Sequence, residues 1–490
     1  MRKSWAWLVV GVLLFSGCAS QETKKEQPVV VAVAPGLPRP AVSGVTWLES
    51  DSPVELVRSG KAEFALAGQV VPPELQGFAF AYDETVLVQP YLDPSLSFSA
   101  QDAVNVLSGG TLGGAKPVRL SDLQVGWRPV PVSNVVPTPE ALATGQYGVG
   151  TRFTAFIYKD GANPTVVEQF RALAAKPPEP WITLTVAGDF MLARGVARAM
   201  RENGTLYPVA AVKEHLSKAD LTFVNLESPI GVKGTALPGK QIWFRAPPEA
   251  MENLKATGVD GVTVANNHIL DYDTENFLET LDSLKQAGIK YVGGGRNISE
   301  ARKPMVLEAK GVKIAFLGYS QFADLFFDWN YPRSFSATDT LPGVPRIQED
   351  WLAEDIKAAK ALAPIVAVAY HWGDEFQNYP NDEQKRLAHK TVDLGADLVL
   401  GYHPHAIQGF EIYNGKFIAY STGNFIMDRQ DTDLARESMI LDFTLSPGKV
   451  RAVNVLPVWI KAEQPYIMTG AEGETLLQKM RTISGWKNRQ

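Results

Sequence analysis

The chain has 490 residues, 45% of them hydrophobic and 20% charged, a globular balance that is not that of a disordered chain and a length that suggests two domains. A formal charge of −6 argues against a nucleic-acid partner held by a basic surface. Cys18 is the only cysteine, which excludes an intrachain disulfide and a structural zinc site of the thiolate type.

Taken from the start, Arg2 and Lys3 precede an almost unbroken apolar run from Trp5 to Phe15, and the small residues Ser16 and Gly17 lead into Cys18. This is the layout of a signal peptide over residues 1–17; the run is shorter than the roughly 20 apolar residues of a stable membrane-spanning helix. Leu14-Phe15-Ser16-Gly17-Cys18 resembles a bacterial lipobox, with Phe15 where leucine is usual. That resemblance implies lipidation of Cys18 and an extracytoplasmic protein lipid-anchored to a bacterial membrane. An uncleaved anchor, or secretion with an incidental cysteine, is the alternative.

Residues 18–42, polar at first and then rich in Val and Pro, read as a tether without helical periodicity. Residues 43–175 read as an accessory α/β domain, with strands over 62–67 and 85–88 and a helix over 100–107, capped by Ser99 and stopped by Gly109-Gly110. Its order of segments is similar to part of a phosphate-type solute-binding protein. Three prolines in Lys176-Pro177-Pro178-Glu179-Pro180 mark a linker at 176–180.

From Trp181 the alternation becomes regular. Runs at 182–187, 221–224, 259–265, 290–292, 312–318, 365–370, 398–401 and 417–421 read as buried strands, and 246–257, 273–287, 347–362 and 382–394 as helices. Strands and helices alternating in this way predict an α/β fold over 181–460, with 461–490 as a C-terminal tail.

Most of these strands end on a residue able to bind a metal or a phosphate: Asp189, Glu227, the triplet Asn266-Asn267-His268 with Asp271, His371 with Glu375, and His403 with His405. Strand ends are where α/β sheets place ligands. Four of the six histidines (His268, His371, His403 and His405) lie there, whereas His215 and His389 lie on predicted amphipathic helices with a solvated or capping role. Imidazole, carboxylate and amide oxygen together suit one or two divalent ions, with Mn, Zn and Fe not distinguished. The run Gly293-Gly294-Gly295 lacks the following Lys and Ser/Thr of a phosphate loop.

Six motifs in order resemble the CapA capsule-synthesis family: Gly188-Asp189-Phe190-Met191, Asn225 to Ile230, Asn266 to Asp271, His371 to Glu375, Gly401 to His405 and Tyr420 to Phe425. The family is related to calcineurin-like metallophosphoesterases, and the resemblance implies a four-layer α/β/β/α metallophosphoesterase-like sandwich preceded by a smaller α/β domain. It further implies that Asp189 and His405 hold a first metal, that Glu227 bridges, and that Asn267, His371 and His403 hold a second. His268 would be the general acid, or would stabilise charge on the leaving oxygen. Arg194 is a candidate for an anionic substrate, Asp271 and Glu375 for fixing ligand histidines, and Ser421 and Asn424 for support, a structural turn explaining the last two equally well.

Two departures bear on catalysis. The relatives' Asp-x-His has no histidine here, because Met191 stands in its place, and their bridging Asp is Glu227. Three functions therefore stay open: a metal-dependent hydrolase acting on a phosphoester or an anionic envelope polymer, a non-catalytic partner of the machinery that makes or exports poly-γ-glutamate or a related polymer, and a polymer- or solute-binding lipoprotein.

Overall fold

The computed structural model describes residues 29–485, apart from 38, 70, 82–84, 91–97, 111, 120–121, 144–145, 148–153, 175–178, 327 and 329–332. The expected signal peptide, Cys18, residues 18–28 of the tether and residues 176–178 of the linker lie outside the described residues. The described residues form two compact units, one from residues up to 80 together with those of 154–174, the other from the described residues of 81–153 and 175–485.

The first unit is a five-stranded sheet in the order Val45–Glu49, Val29–Val33, Phe64–Ala67, Thr154–Tyr158, Gln76–Ala81, with helices Pro53–Arg58 and Pro164–Leu173. Phe156 stacks on Phe64 at 5.1 Å and on Phe170 at 4.0 Å, the aromatic centre of its core. Part of the expected tether is therefore structural. Val29–Val33 pairs in parallel with two neighbours and buries Val31, Ala32 and Val33 completely. A run of β-branched residues needs no helical period to bury both faces when strands flank it on either side.

The expected 43–175 block is also divided. Within the second unit, Thr85–Pro90 pairs with Lys116–Arg119 and Trp127–Pro129, and helix Ala100–Leu107 begins with a capping box between Ser99 and Asp102. The apolar side of this piece, including Val86, Phe98 and Val106, packs with Trp181 and Ala452 rather than closing a core of its own.

Two larger sheets make up the rest of this unit. One runs Lys290–Val292, Gly261–Thr263, Leu221–Leu226, Ile182–Phe190, Glu437–Ser446, Lys449–Lys461, Gln464–Ile467, with Asn424–Ile426 also paired to Ile182–Phe190. The other runs Met305–Ala309, Val312–Ser320, Ile365–His371, Leu398–Tyr402, Lys416–Ala419, Phe410–Tyr413. Alternate residues of one strand serve different cores. Ile314 and Phe316 join Leu184, Val186 and Phe223 between the sheets, where Phe223 stacks on Phe316 at 4.2 Å. Ala315, Leu317 and Tyr319 face the other way, onto helices Glu349–Leu362 and Asp382–Asp393. The outer face of the first sheet is covered likewise by helices Arg194–Asn203, Met251–Ala256 and Asp273–Gln286.

The expected tail is part of this architecture. Gln464–Ile467 completes a sheet, and helix Gly470–Ile483 sends Leu476, Leu477, Met480 and Ile483 into the core between the sheets. The glycine run at 293–295 packs tightly instead of cradling an anion: a Cβ on Gly293 would lie 2.5 Å from the Ala265 side chain.

Candidate metal centre

Parallel strands of both sheets deliver their polar ends to one place. Asp189 stands beside Asn225 on one side and Asn424 on the other, and His371 stands between Ser320 and Tyr402. Such close strands leave no room for side chains at two positions: a Cβ on Gly188 would lie 2.1 Å from Gly423 O, and one on Gly401 would lie 1.9 Å from Tyr420 O. His403 and His405 both adopt positive φ, 97° and 54°, so a strained turn aims the two rings inward from one short loop.

A line of amides fixes the loops. Asn225 Nδ2 donates to Asp189 Oδ1 at 2.8 Å, and Asn266 Nδ2 donates to Asn225 Oδ1 at 3.1 Å and to Leu226 O at 2.8 Å. Asn266 Oδ1 in turn accepts from the backbone of His268 and Ile269. The remaining acceptors are left over. Among the described residues, Asp189 Oδ2, both carboxylate oxygens of Glu227 and His371 Nδ1 are buried and find no hydrogen-bond partner. Around them, His371 Nε2 lies 2.8 Å from Asn267 Oδ1, 3.2 Å from His403 Nδ1 and 3.7 Å from Glu227 Oε1. His405 lies 3.6 Å from Asp189 Oδ2 through Nδ1 and 3.8 Å from Glu227 Oε1 through Nε2.

Two donor groups result, Glu227 with His371 and His403, and Asp189 with Glu227 and His405, each with its atoms within 4.8 Å of one another. Burial pushes both carboxyls up, and the Asp189 charge adds to the rise at Glu227. Burial holds His371 and His403 well below the usual imidazole range, with neighbouring histidines adding, so both rings are neutral and keep a lone pair. Partnerless buried carboxylates beside neutral imidazoles are costly alone and suited to a divalent cation. The residues fit that ion. Asn424 spends its amide hydrogens on Ala435 O and His405 O, so its Oδ1 accepts from His405 Nδ1 at 2.8 Å while Nε2 lies 3.8 Å from Glu227 Oε1.

His268 belongs to a second arrangement. Its Nδ1 lies 2.7 Å from Asp271 Oδ2, and its ring stacks on Phe244 at 3.9 Å. Lys240, its side chain 6% exposed, bonds to Asp271 Oδ1 and also donates to Asn267 O at 2.6 Å. One ammonium thus braces both the orienter of His268 and the backbone of Asn267.

Of the strand-end residues, Asp189, Glu227, Asn267, His371, His403 and His405 meet at the centre, and His268 with Asp271 forms the neighbouring arrangement. Glu375 differs from expectation. It is exposed, makes no hydrogen bond to another described residue, and lies with His403 and His405 in a third donor group instead of fixing a tautomer. Ser421 serves a turn, its Oγ accepting from Gly423 N at 3.2 Å. Arg194 lies at the mouth of the pocket and not at the ligands. Met191 is buried with its sulfur 3.2 Å from Ala193 N, so it does not replace the missing histidine. His215 pairs with Asp442 and His389 with Glu411, both away from the centre. Lys240, Asn225 and Phe244 were not singled out from sequence; a lysine inside the apolar surroundings of a Gly- and Pro-containing loop was the one available signal.

Residues 183–429 match the family described as bacterial capsule synthesis protein PGA_cap. The chain is 32% identical over 297 residues to the capsule biosynthesis protein CapA of Bacillus anthracis, covering 59% of this chain and 70% of that one. It is 30% identical over 286 residues to the PGA biosynthesis protein CapA of Bacillus subtilis, covering 58% and 73% respectively. With half its length matched to the family and its motifs gathered at one centre, the chain belongs to the bacterial capsule synthesis protein family.

Proposed function

We propose that this protein is a metal-dependent hydrolase of the bacterial envelope that acts in synthesis or export of poly-γ-glutamate or a related anionic capsule polymer. Its substrate would be a phosphoester or the polymer itself, its partners the capsule synthesis or export machinery, and its anchor the lipid on Cys18. The observation that carries the reading is the convergence of partnerless buried oxygens of Asp189 and Glu227 with His371, His403 and His405.

Asp189, Glu227 and His405 would hold one ion, and Glu227, Asn267, His371 and His403 another. A bound divalent ion supplies positive charge for a developing oxyanion and lowers the pKa of water. The chain's own contribution is proton handling and order. Asp271 keeps the Nδ1 proton of His268 in place, and burial holds that ring below the usual imidazole range, so Nε2 of a neutral imidazole faces the pocket. There the neutral ring would take a proton from the attacking water and, as the imidazolium that Asp271 stabilises, return that proton to the leaving oxygen. Phe244 keeps the ring flat against one wall of the pocket.

The second reading is a non-catalytic polymer-binding lipoprotein, favoured by one observation: Met191 leaves the first donor group without the relatives' extra histidine. Turnover of bis(p-nitrophenyl) phosphate by manganese- or zinc-loaded protein separates the two. The hydrolase reading expects turnover that falls by a factor of about 100 or more in His268→Ala; metal-loaded wild-type protein without turnover would support the second. Mass spectrometry of protein from membranes tests the anchor, through a diacylglyceryl adduct on Cys18.

A further inference from the structure

Two arginines at the mouth of the centre share an arrangement that the chemistry above does not use. Arg194 follows the strand bearing Asp189, and Arg429 follows Asn424–Ile426; both are exposed, and both line the pocket that reaches His268 and His405. In each, an aspartate engages the inner nitrogen: Arg194 Nε lies 3.2 Å from Asp428 Oδ2, and Arg429 Nε donates to Asp431 Oδ1 at 3.1 Å. In each, the guanidinium covers an aromatic ring that borders a histidine of the centre. Arg194 lies 5.5 Å over Phe244, which stacks on His268, and Arg429 lies 4.3 Å over Phe376, whose ring is 5.9 Å from His405.

With Nε engaged and Cζ over a ring, the outer nitrogens of both arginines make no hydrogen bond to another described residue and are left as forks. Such forks match carboxylate and phosphate oxygens. The backbone adds an independent sign. Arg194 and Phe376 both have positive φ, 53° and 57°, a conformation that persists for such residues only where the surroundings enforce it. Gly195 N donating to Asp428 Oδ2 at 2.9 Å and Phe376 N donating to Pro404 O at 2.7 Å do so here. Glu375 also lines this pocket, with its carboxylate and the ring nitrogens of His403 and His405 all within 4.8 Å of one another.

We infer that Arg194 and Arg429 form a two-pronged anion clamp, and that the substrate is a chain carrying acidic groups beside the bond that reacts. This rests on the reading of the centre as a hydrolytic site, yet clamp binding is measurable whether or not turnover follows. The test is calorimetric titration of the full protein at physiological salt with an oligomer of γ-linked glutamate and with the same oligomer amidated to glutamine. The acidic oligomer should bind about tenfold tighter, with Arg194→Gln and Arg429→Gln each weakening it several-fold and the double variant binding both oligomers alike. Arg429→Lys should behave as Arg429→Gln, because it keeps the charge and loses the fork. Unchanged melting temperature and metal content in the variants guard against misfolding. Equal binding of the two oligomers by wild-type protein, or wild-type preference in the double variant, overturns the clamp. Charge-selective binding without hydrolysis supports the clamp and sinks the hydrolase; hydrolysis with charge-blind binding does the reverse.

Discussion

At the scale of single residues, Glu227 and Lys240 place an acid and a base in the same buried neighbourhood and have opposite expected consequences. Glu227 is the member common to both principal donor groups, and neither of its oxygens has a hydrogen-bond partner among the described residues. Glu227→Gln should therefore remove metal-dependent stabilisation, which for a ligand at 100 times its Kd is about 2.7 kcal/mol, while leaving metal-free protein at least as stable as wild type. Thermal melts with and without manganese check both halves. Lys240→Met should cost about 3 to 5 kcal/mol, because Asp271 would stay buried without its cation, and urea denaturation reads that loss. The strand-end histidines were legible in sequence because their residue type limits what they do. Lys240 was not, because its contacts lie 27 and 31 residues away across a folded-back loop, and nothing local announces them.

Whole elements show a similar contrast. The parallel strands around Asp189 and His371 read easily, since strands buried on both faces are continuous apolar runs. Glu437–Ser446 and Lys449–Lys461 were missed, being interrupted by Asp442 and Asn454, whose partners are distant in sequence. Asp442 accepts from Thr185 Oγ1 at 2.6 Å and pairs with His215 at 3.0 Å, tying a short helix to the sheet. The Asp442 hydrogen bond raises the His215 imidazole above its ordinary 6.5, against burial. A raised folded value means the stabilisation is complete below pH 6.5 and is lost as pH rises through that raised value. His215→Gln should thus cost about 1 kcal/mol or less at pH 5.5 and still less at pH 9, measured by urea denaturation at both. Helix Asp382–Asp393 offers a simpler case: its Asn381–Gln384 capping box should lose about 1 kcal/mol in Asn381→Ala.

For the molecule as a whole, sequence alternation gave the α/β class, and motif order gave the residues of the centre. Division of the chain was harder to see. Val29–Val33 looked like tether because its partners, Val45–Glu49 and Phe64–Ala67, lie downstream, and Val86, Phe98 and Val106 pack with Trp181 and Ala452, which no local pattern marks. The C-terminal helix is the sharpest example. It fills the core between the sheets with four apolar side chains, each contributing about 1.5 to 3 kcal/mol, a sum comparable to the whole stability of an ordinary domain. A chain ending at Thr469 should lose its cooperative melting transition. The central claim, that the strand ends build a site for a divalent ion, meets its most direct test in metal analysis of the full protein after manganese or zinc loading and gel filtration. We expect at least one ion per chain in wild-type protein and a clear loss in Glu227→Gln; wild-type protein that emerges metal-free would contradict it.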